Sequence, residues 1–186
     1  MSSDPDALSA HLLREVARAC LGSAPRPVVL IDGGSGAGKT TFARRLLSLL
    51  ATPAGEAQLV SLDDFYPGWD GLREGSEMVH ADVLRDRDPG WRGWDWQANR
   101  SVEWHPLDPQ RPLLIEGCGA LSAANRRGAS FGIWLELEAE ERKRRALGRD
   151  GILYAPHWDR WAAQESVFRL EEPPAPLADL VIDLNS

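Results

Sequence analysis

The sequence predicts an α/β fold in which a five-stranded parallel sheet lies between helical layers. Three observations carry that prediction. Short apolar runs at 28–31, 58–62, 113–115, 132–137 and 180–182 lack the alternation of a half-solvated strand, so both faces of the sheet are covered. Helix-like stretches separate most of them, which makes the connections right-handed crossovers. The first run also leads through a glycine-rich loop straight into a helix, the strand–loop–helix order of a phosphate-binding unit.

Taken in order, residues 4–20 read as a helix with Asp4 as its cap, Pro5 in its first turn and Leu8, Leu12, Val16 and Ala19 on one face. The first strand is Val28–Ile31, and the loop with its helix occupies 33–50. After a loop at 51–56, the second strand, 58–62, delivers Asp63-Asp64-Phe65-Tyr66 at its C-terminal end, where open α/β sheets hold ligands. Periodicity then dissolves from 67 to 112, a segment holding five of the eight tryptophans; a stretch this long without regular structure implies function. It reads as an acceptor-side insertion with a helix near 77–85 and short strands around 94–96 and 102–104. The third strand ends in Glu116-Gly117, a helix-like stretch covers 120–127, and the fourth strand is 132–137. A basic helix at 139–148 opens a lid region, 139–157, and a helix at 157–170 carries Trp158, Trp161, Glu165 and Phe168 at helical spacing. The fifth strand is 180–183.

A chain of 186 residues fits one domain, 1–186. Its net charge of −7, without a long like-charged run, argues against a nucleic-acid or anionic-membrane partner. Cys20 and Cys118 lack metal-ligand spacing and read as buried free thiols of a reducing cytoplasm. No stretch of 18 apolar residues marks a membrane span.

Gly33-Gly34-Ser35-Gly36-Ala37-Gly38-Lys39-Thr40 fits G-x-x-x-x-G-K-[ST], with Thr41 following. Backbone N–H groups of such a turn and of the helix N-terminus converge on a phosphate, and a Cβ on the glycines would crowd it. Lys39 would bridge the β- and γ-phosphates of ATP, and the Thr40 hydroxyl would ligate Mg²⁺.

Three companions set the chemistry. Asp63, at the end of the neighbouring strand, is placed to take a proton from an acceptor hydroxyl or to hold Mg²⁺, against the alternative of an Asx turn. Asp64 points the other way if the chain there is extended. Glu116 ends an apolar strand in the manner of a Walker B acid, a metal partner. On the basic helix, Arg142, Arg145 and Arg149 share one face; Arg145 and Arg149 are the candidates to close on the transferred group. Trp94 and Trp96 either stack on a ligand ring or only bury area; Trp158 and Trp161 read as packing, and His80, His105 and His157 as surface or loop residues.

The succession of Gly33–Thr40, Asp63-Asp64-Phe65-Tyr66, Trp94-Asp95-Trp96 with Arg100, Ile115-Glu116-Gly117, Arg145–Asp150 and Ala178-Asp179-Leu180-Val181 resembles the uridine kinase family and its nicotinamide riboside, pantothenate and phosphoribulokinase relatives. The resemblance spans about 27–183. It implies a three-layer P-loop kinase fold, Asp63 as base or metal partner, Tyr66 lining the acceptor site, and the Asp95 segment meeting sugar hydroxyls, so that Asp63, Tyr66, Trp94, Asp95, Trp96, Arg100 and Glu116 are the acceptor-side candidates. The chain departs from the family pattern in reading Trp-Asp-Trp where Tyr-Asp-Phe is usual, in lacking a histidine shortly afterwards, in following Arg149-Asp150 with Gly151-Ile152, and in an abbreviated adenine-side loop after the fifth strand. The expectation is an ATP- and Mg²⁺-dependent kinase of a hydroxyl on a nucleoside-like small molecule, as monomer or homodimer. Its rivals are a kinase of pantothenate, a sugar or an antibiotic, and a non-catalytic nucleotide switch.

Overall fold

A computed structural model describes residues 10–185 of the chain. Asp4, Pro5 and Leu8 lie outside them. Helix α1 (Ala10–Ser23) buries Leu13, Val16, Ala17 and Cys20, while Leu12 is half-buried and Ala19 exposed, so its packed face is rotated from the expected one. Strand β1 (Val28–Gly33) is buried at every position and feeds α2 (Lys39–Leu47). The segment read as a loop at 51–56 contains a minimal hairpin, β2 (Ala51–Thr52) with β3 (Gly55–Glu56). Strand β4 (Gln58–Ser61) stops one residue early, because Leu62–Asp64 turns into a 3₁₀ helix.

In the 67–112 segment, helix α3 (Leu72–Met78) starts five residues before the expected position and runs into a π-helical turn at Val79–Val83. The tryptophan-rich part is an antiparallel hairpin, β5 (Gly90–Asp95) with β6 (Arg100–Pro106), which places Asp95 opposite Arg100. Then come β7 (Leu113–Glu116), the short helix α4 (Ala123–Arg126), β8 (Phe131–Glu136), α5 (Ala139–Tyr154), α6 (Trp158–Glu171) and β9 (Leu180–Asp183). Helix α5 outruns the expected 139–148 by passing through a break at Gly151, whose φ of 54° suits glycine.

The sheet is parallel throughout, in the order β4-β7-β1-β8-β9. Alternate residues of each strand supply two cores. Val29, Ile31, Leu114, Ile133 and Leu135 pack with α1 and α2, whereas Leu30, Val60, Ile115 and Trp134 pack on the face of α3 and α6, with Trp158, Trp161 and Phe168. Burial on both faces is what the continuous apolar runs required. The order also puts β1 at the centre and β7 beside it, so the loop after β1 and the acid ending β7 open at one edge of the sheet, where the connections diverge.

Candidate active site

The loop between β1 and α2 takes its shape from two glycines in the left-handed region, Gly36 (φ 83°) and Gly38 (φ 91°). Gly38 stands at the N-cap of α2 without a side chain to satisfy the first turn, so the helix offers its unpaired N–H groups and the positive end of its dipole to a ligand. The reason for each glycine differs from the uniform one expected. A Cβ on Gly38 would meet no protein atom within 4 Å and would enter open space. A Cβ on Gly34 or Gly36 would overlap Arg142, lying 2.8 Å from its Nε in the first case and from its carbonyl carbon in the second. Helix α5, as well as any phosphate, demands those two.

Lys39 is buried, and its Nζ donates to the carbonyl oxygens of Gly33 (2.9 Å) and Gly34 (3.2 Å) and to Cys118 Sγ (3.3 Å). Burial opposes its charge, yet Cys118 and the carboxylates of Glu116, Glu165 and Asp32 together hold its pKa above the ordinary lysine range. Cys118 is itself a neutral thiol, pushed far up by burial, so at neutral pH the carboxylates carry that effect.

Glu116 Oε1 accepts from Thr40 Oγ1 (3.0 Å) and from Ser61 Oγ (2.6 Å). The parallel register of β4 with β7 pairs Ser61 with Glu116, which is why a serine on the neighbouring strand reaches it. Burial raises the Glu116 pKa, with Lys39 opposing. Asp63 is exposed two residues beyond Ser61, and its main-chain oxygen accepts from Trp96 Nε1 (3.0 Å). Asp64 is exposed as well, because a 3₁₀ turn replaces the extended chain on which opposite facings were expected. Although Asp64 is open to solvent on one side, desolvation by the protein atoms around its carboxyl, and after it the charge of Asp63, raises its pKa.

On the other side of the loop, Arg145 and Arg149 of α5 and Arg45 of α2 line a hollow of ≈ 260 Å³ with Gly36, Gly38 and Thr41. Arg145 Nε donates to Glu141 Oε1 (2.7 Å). Arg142, grouped with them by spacing, turns instead into the protein: it is buried, and its guanidinium donates to Leu137 O, Ser35 O and Glu165 Oε2 (all 3.1 Å).

The acceptor-side candidates separate. Trp96 packs against Trp69 with ring centres 4.9 Å apart and planes inclined at 54°, and so closes the hairpin tip over Asp63. Asp95 stays in the hairpin turn, where its Oδ1 accepts from Gln97 N and Ala98 N (2.9 Å each). Those amides, the Ala98 one foremost, lower its pKa. Arg100 is exposed opposite it. Trp94 is half-buried with its Nε1 enclosed. Tyr66 is not on an open wall: it is buried, edge-on to Trp161 at 4.8 Å, and its hydroxyl donates to Cys118 O (2.7 Å). The 3₁₀ turn that ends β4 swings Phe65 and Tyr66 into the core, which accounts for the difference. His157, expected as a surface or loop residue, lies in the short turn between α5 and α6 and stacks on Trp69 at 4.1 Å and 8°.

Other residues at the site were not anticipated. Asp32, buried, accepts from the N–H groups of Gly33 (2.6 Å), Gly119 (3.2 Å) and Leu121 (2.8 Å), tying the loops after β1 and β7 together; burial pushes its pKa up to about 6. Glu165 accepts from Ser35 N, and Tyr154 donates to Ser35 Oγ. An acid in the apolar stripe Trp158-Trp161-Glu165-Phe168 was a visible signal for the first of these.

No protein-family model matches the chain, and no curated protein matches it. Solved structures do. A protein provisionally named a fructose transport system kinase, from Silicibacter sp. TM1040, superposes with a TM-score of 0.67 at 18% identity over 91% of this chain and 98% of its own. One provisionally named a uridine kinase, from Bacillus stearothermophilus, superposes with a TM-score of 0.64 at 18% identity over 92% and 97%. At that identity the likeness speaks to architecture, and the parallel sheet with its glycine loop and flanking helices shares the P-loop α/β fold of these two structures.

Proposed function

We propose that the protein is an ATP- and Mg²⁺-dependent kinase that transfers the γ-phosphoryl group to a hydroxyl of a small, nucleoside-like molecule. The observation that carries this reading is the meeting of Thr40 Oγ1 and Ser61 Oγ on Glu116 Oε1 at the lip of the glycine loop, with Asp63 two residues farther along the adjoining chain. Two hydroxyls meeting on one carboxylate make an all-oxygen donor set, which fits Mg²⁺. Gly38 facing open space at an uncapped helix N-terminus fits a phosphate, and the arginine-lined hollow fits the rest of a nucleotide. A bound Mg²⁺–ATP supplies the phosphoryl group and part of the neutralising charge. The chain's own residues do the remainder: the loop amides and Lys39 orient phosphates, Thr40 and Glu116 hold the metal, Asp63 aligns or deprotonates the acceptor hydroxyl, and Arg145 and Arg149 face the developing charge. The residues 67–112 would then form the acceptor-side insertion and 139–157 the lid of a single domain. Two free, buried cysteines fit a reducing cytoplasm.

One observation favours a second reading of the acceptor. Tyr66 and Asp95, through which the resemblance implied nucleoside recognition, are engaged with Cys118 O and the hairpin turn. A non-nucleoside hydroxyl compound, such as the sugar suggested by the name of one structural neighbour, shares every donor-side residue. Acceptor-stimulated ADP release, measured across nucleosides, pantothenate, ribosides and sugars, tests both. Stimulation by nucleosides supports the first and by sugars alone the second; ATP bound without stimulation by any of them would overturn the kinase reading in favour of a switch.

A further inference from the structure

The middle of the glycine loop is held from outside by the two helices that follow β8. All three polar groups of Ser35 are engaged there: its N–H donates to Glu165 Oε1 (2.7 Å), its carbonyl accepts from Arg142 Nη1 (3.1 Å), and its hydroxyl accepts from Tyr154 (2.9 Å). Glu165 and Arg142 pair with each other at 3.1 Å, with side chains 4% and 7% exposed. Glu165 also accepts from Cys118 Sγ (3.3 Å), and Arg169 stands 3.8 Å from its other oxygen. Neither charge is stranded, which is the condition for a buried pair to persist.

We infer that Glu165, with Arg142, is a positioning residue of the nucleotide site: the pair holds Ser35 so that the flanking glycines keep the shape in which the loop amides converge. Ser35 lies between Gly34 and Gly36, so the backbone around it is the part of the loop with the most freedom to lose. A clamp formed before binding removes that ordering cost from the binding step. The same contact explains why α5 lies so close that Gly34 and Gly36 admit no Cβ. Neither residue faces the side of the loop that opens to ligand; that side carries Gly38, Thr41, Arg145 and Arg149. The proposal rests on the nucleotide reading for one of its measurements and not for the other.

The test separates positioning from mere stability. An apolar pair of similar volume can replace a buried ion pair with little loss of stability, but cannot bond the Ser35 N–H or C=O. For the double variant Glu165→Leu/Arg142→Met, melting is expected within a few degrees of the unaltered protein, amide exchange across 33–38 in the protein alone at least about tenfold faster, and the dissociation constant for Mg²⁺–ATP at least about tenfold higher, equivalent to about 1.4 kcal/mol. Tyr154→Phe, which removes only the hydroxyl contact, should shift both readouts in the same direction by less. If the double variant does not fold, Glu165→Gln retains an acceptor for the Ser35 N–H while weakening the pair, and it is expected to raise exchange and dissociation constant about threefold. Native exchange and native affinity in a folded double variant, or in Glu165→Gln and Tyr154→Phe together, would overturn the inference. Should the unaltered protein bind no Mg²⁺–ATP, the nucleotide reading fails, and loop exchange still decides whether the pair holds the loop.

Discussion

Substituting alanine at Gly36 and at Gly38 should cost stability at both, but most at Gly36, and cost nucleotide binding most at Gly38. Both residues sit in the left-handed region, at φ 83° and 91°, so a Cβ costs each about 1–2 kcal/mol of backbone strain. For Gly38→Ala the account stops there, because no protein atom lies within 4 Å of the new carbon. At about 2–4 °C per kcal/mol for a chain of this size, its melting temperature should fall by about 2–8 °C. The Gly36 Cβ meets backbone atoms of Arg142, with the carbonyl carbon 2.8 Å away, and main chain cannot rotate aside as a side chain does. Overpacking of that kind adds about 1–3 kcal/mol, roughly doubling the loss. Binding reverses the ranking: the Gly38 carbon projects toward the face from which phosphate would approach, and losing one charge-assisted hydrogen bond, about 1.5–3 kcal/mol, corresponds to about 10- to 150-fold in affinity. Thermal melts of both variants, with Mg²⁺–ATP titrated into each by calorimetry, read the two effects separately. Gly38→Ala binding nucleotide as tightly as the unaltered protein, or Gly36→Ala melting no lower than Gly38→Ala, would refute the assignment of the two glycines to different partners.

Other substitutions probe the remaining parts. Asp63→Asn should lower kcat by at least about a hundredfold while leaving the dissociation constant for ATP within a few-fold; unaltered turnover in steady-state assays would remove Asp63 from the chemistry. Asp32 gives a pH signature: with its pKa raised from 3.8 to about 6, the folded state binds the extra proton, so its contribution is fully present below about pH 4 and is lost as pH rises through 6. The amount is on the order of 2–3 kcal/mol, and denaturant melts from pH 4 to 7 should show that decline in the unaltered protein but not in Asp32→Asn. Trp69→Leu removes ring contacts to Trp96, His157 and Tyr154 at once and should lower the melting temperature by about 3–10 °C; an unchanged melt would show that this cluster adds nothing to stability.

The strand–loop–helix unit was legible because its information is local. Eight consecutive residues specify a turn that approaches phosphate through backbone, and the apolar run before them specifies a strand buried on both faces. What escaped the sequence depends on register and on helix packing. Ser61 matters only because β4 and β7 pair with Ser61 opposite Glu116. Arg142 shares a helical face with Arg145 on paper, yet a helix pressed against the loop gives two residues one turn apart opposite fates, one buried on Glu165 and one lining the hollow. Tyr66, a wall of the acceptor site only through the family resemblance, goes into the core because a 3₁₀ turn follows Ser61. The alternative reading of aspartate as an Asx turn, weighed for Asp63, applies to Asp95 instead.

Under the kinase reading proposed above, the charges around the loop also bear on which hydroxyl compound can be the acceptor. Arginines 45, 145 and 149 lie toward one side, while Glu116, Asp63 and Asp64 lie at the ends of β7 and β4 on the other, with Lys39 held between by carboxylates. That polarity suits an anionic donor approaching from the first side and a proton leaving toward the second. An acceptor already carrying a phosphate would bring a further anion up to a pair of carboxylates whose mutual repulsion already helps to raise the Asp64 pKa, second only to burial. At roughly 8 Å and an effective dielectric near 20, two such charges oppose a phosphate monoester by about 2–3 kcal/mol after screening, or about 30- to 150-fold in kcat/KM. Neutral polyols or nucleosides should therefore outperform their monophosphates by that factor, and the gap should narrow as salt is raised. A phosphorylated acceptor used equally well, at low salt and high, would mean that Asp63 and Asp64 do not face the incoming hydroxyl.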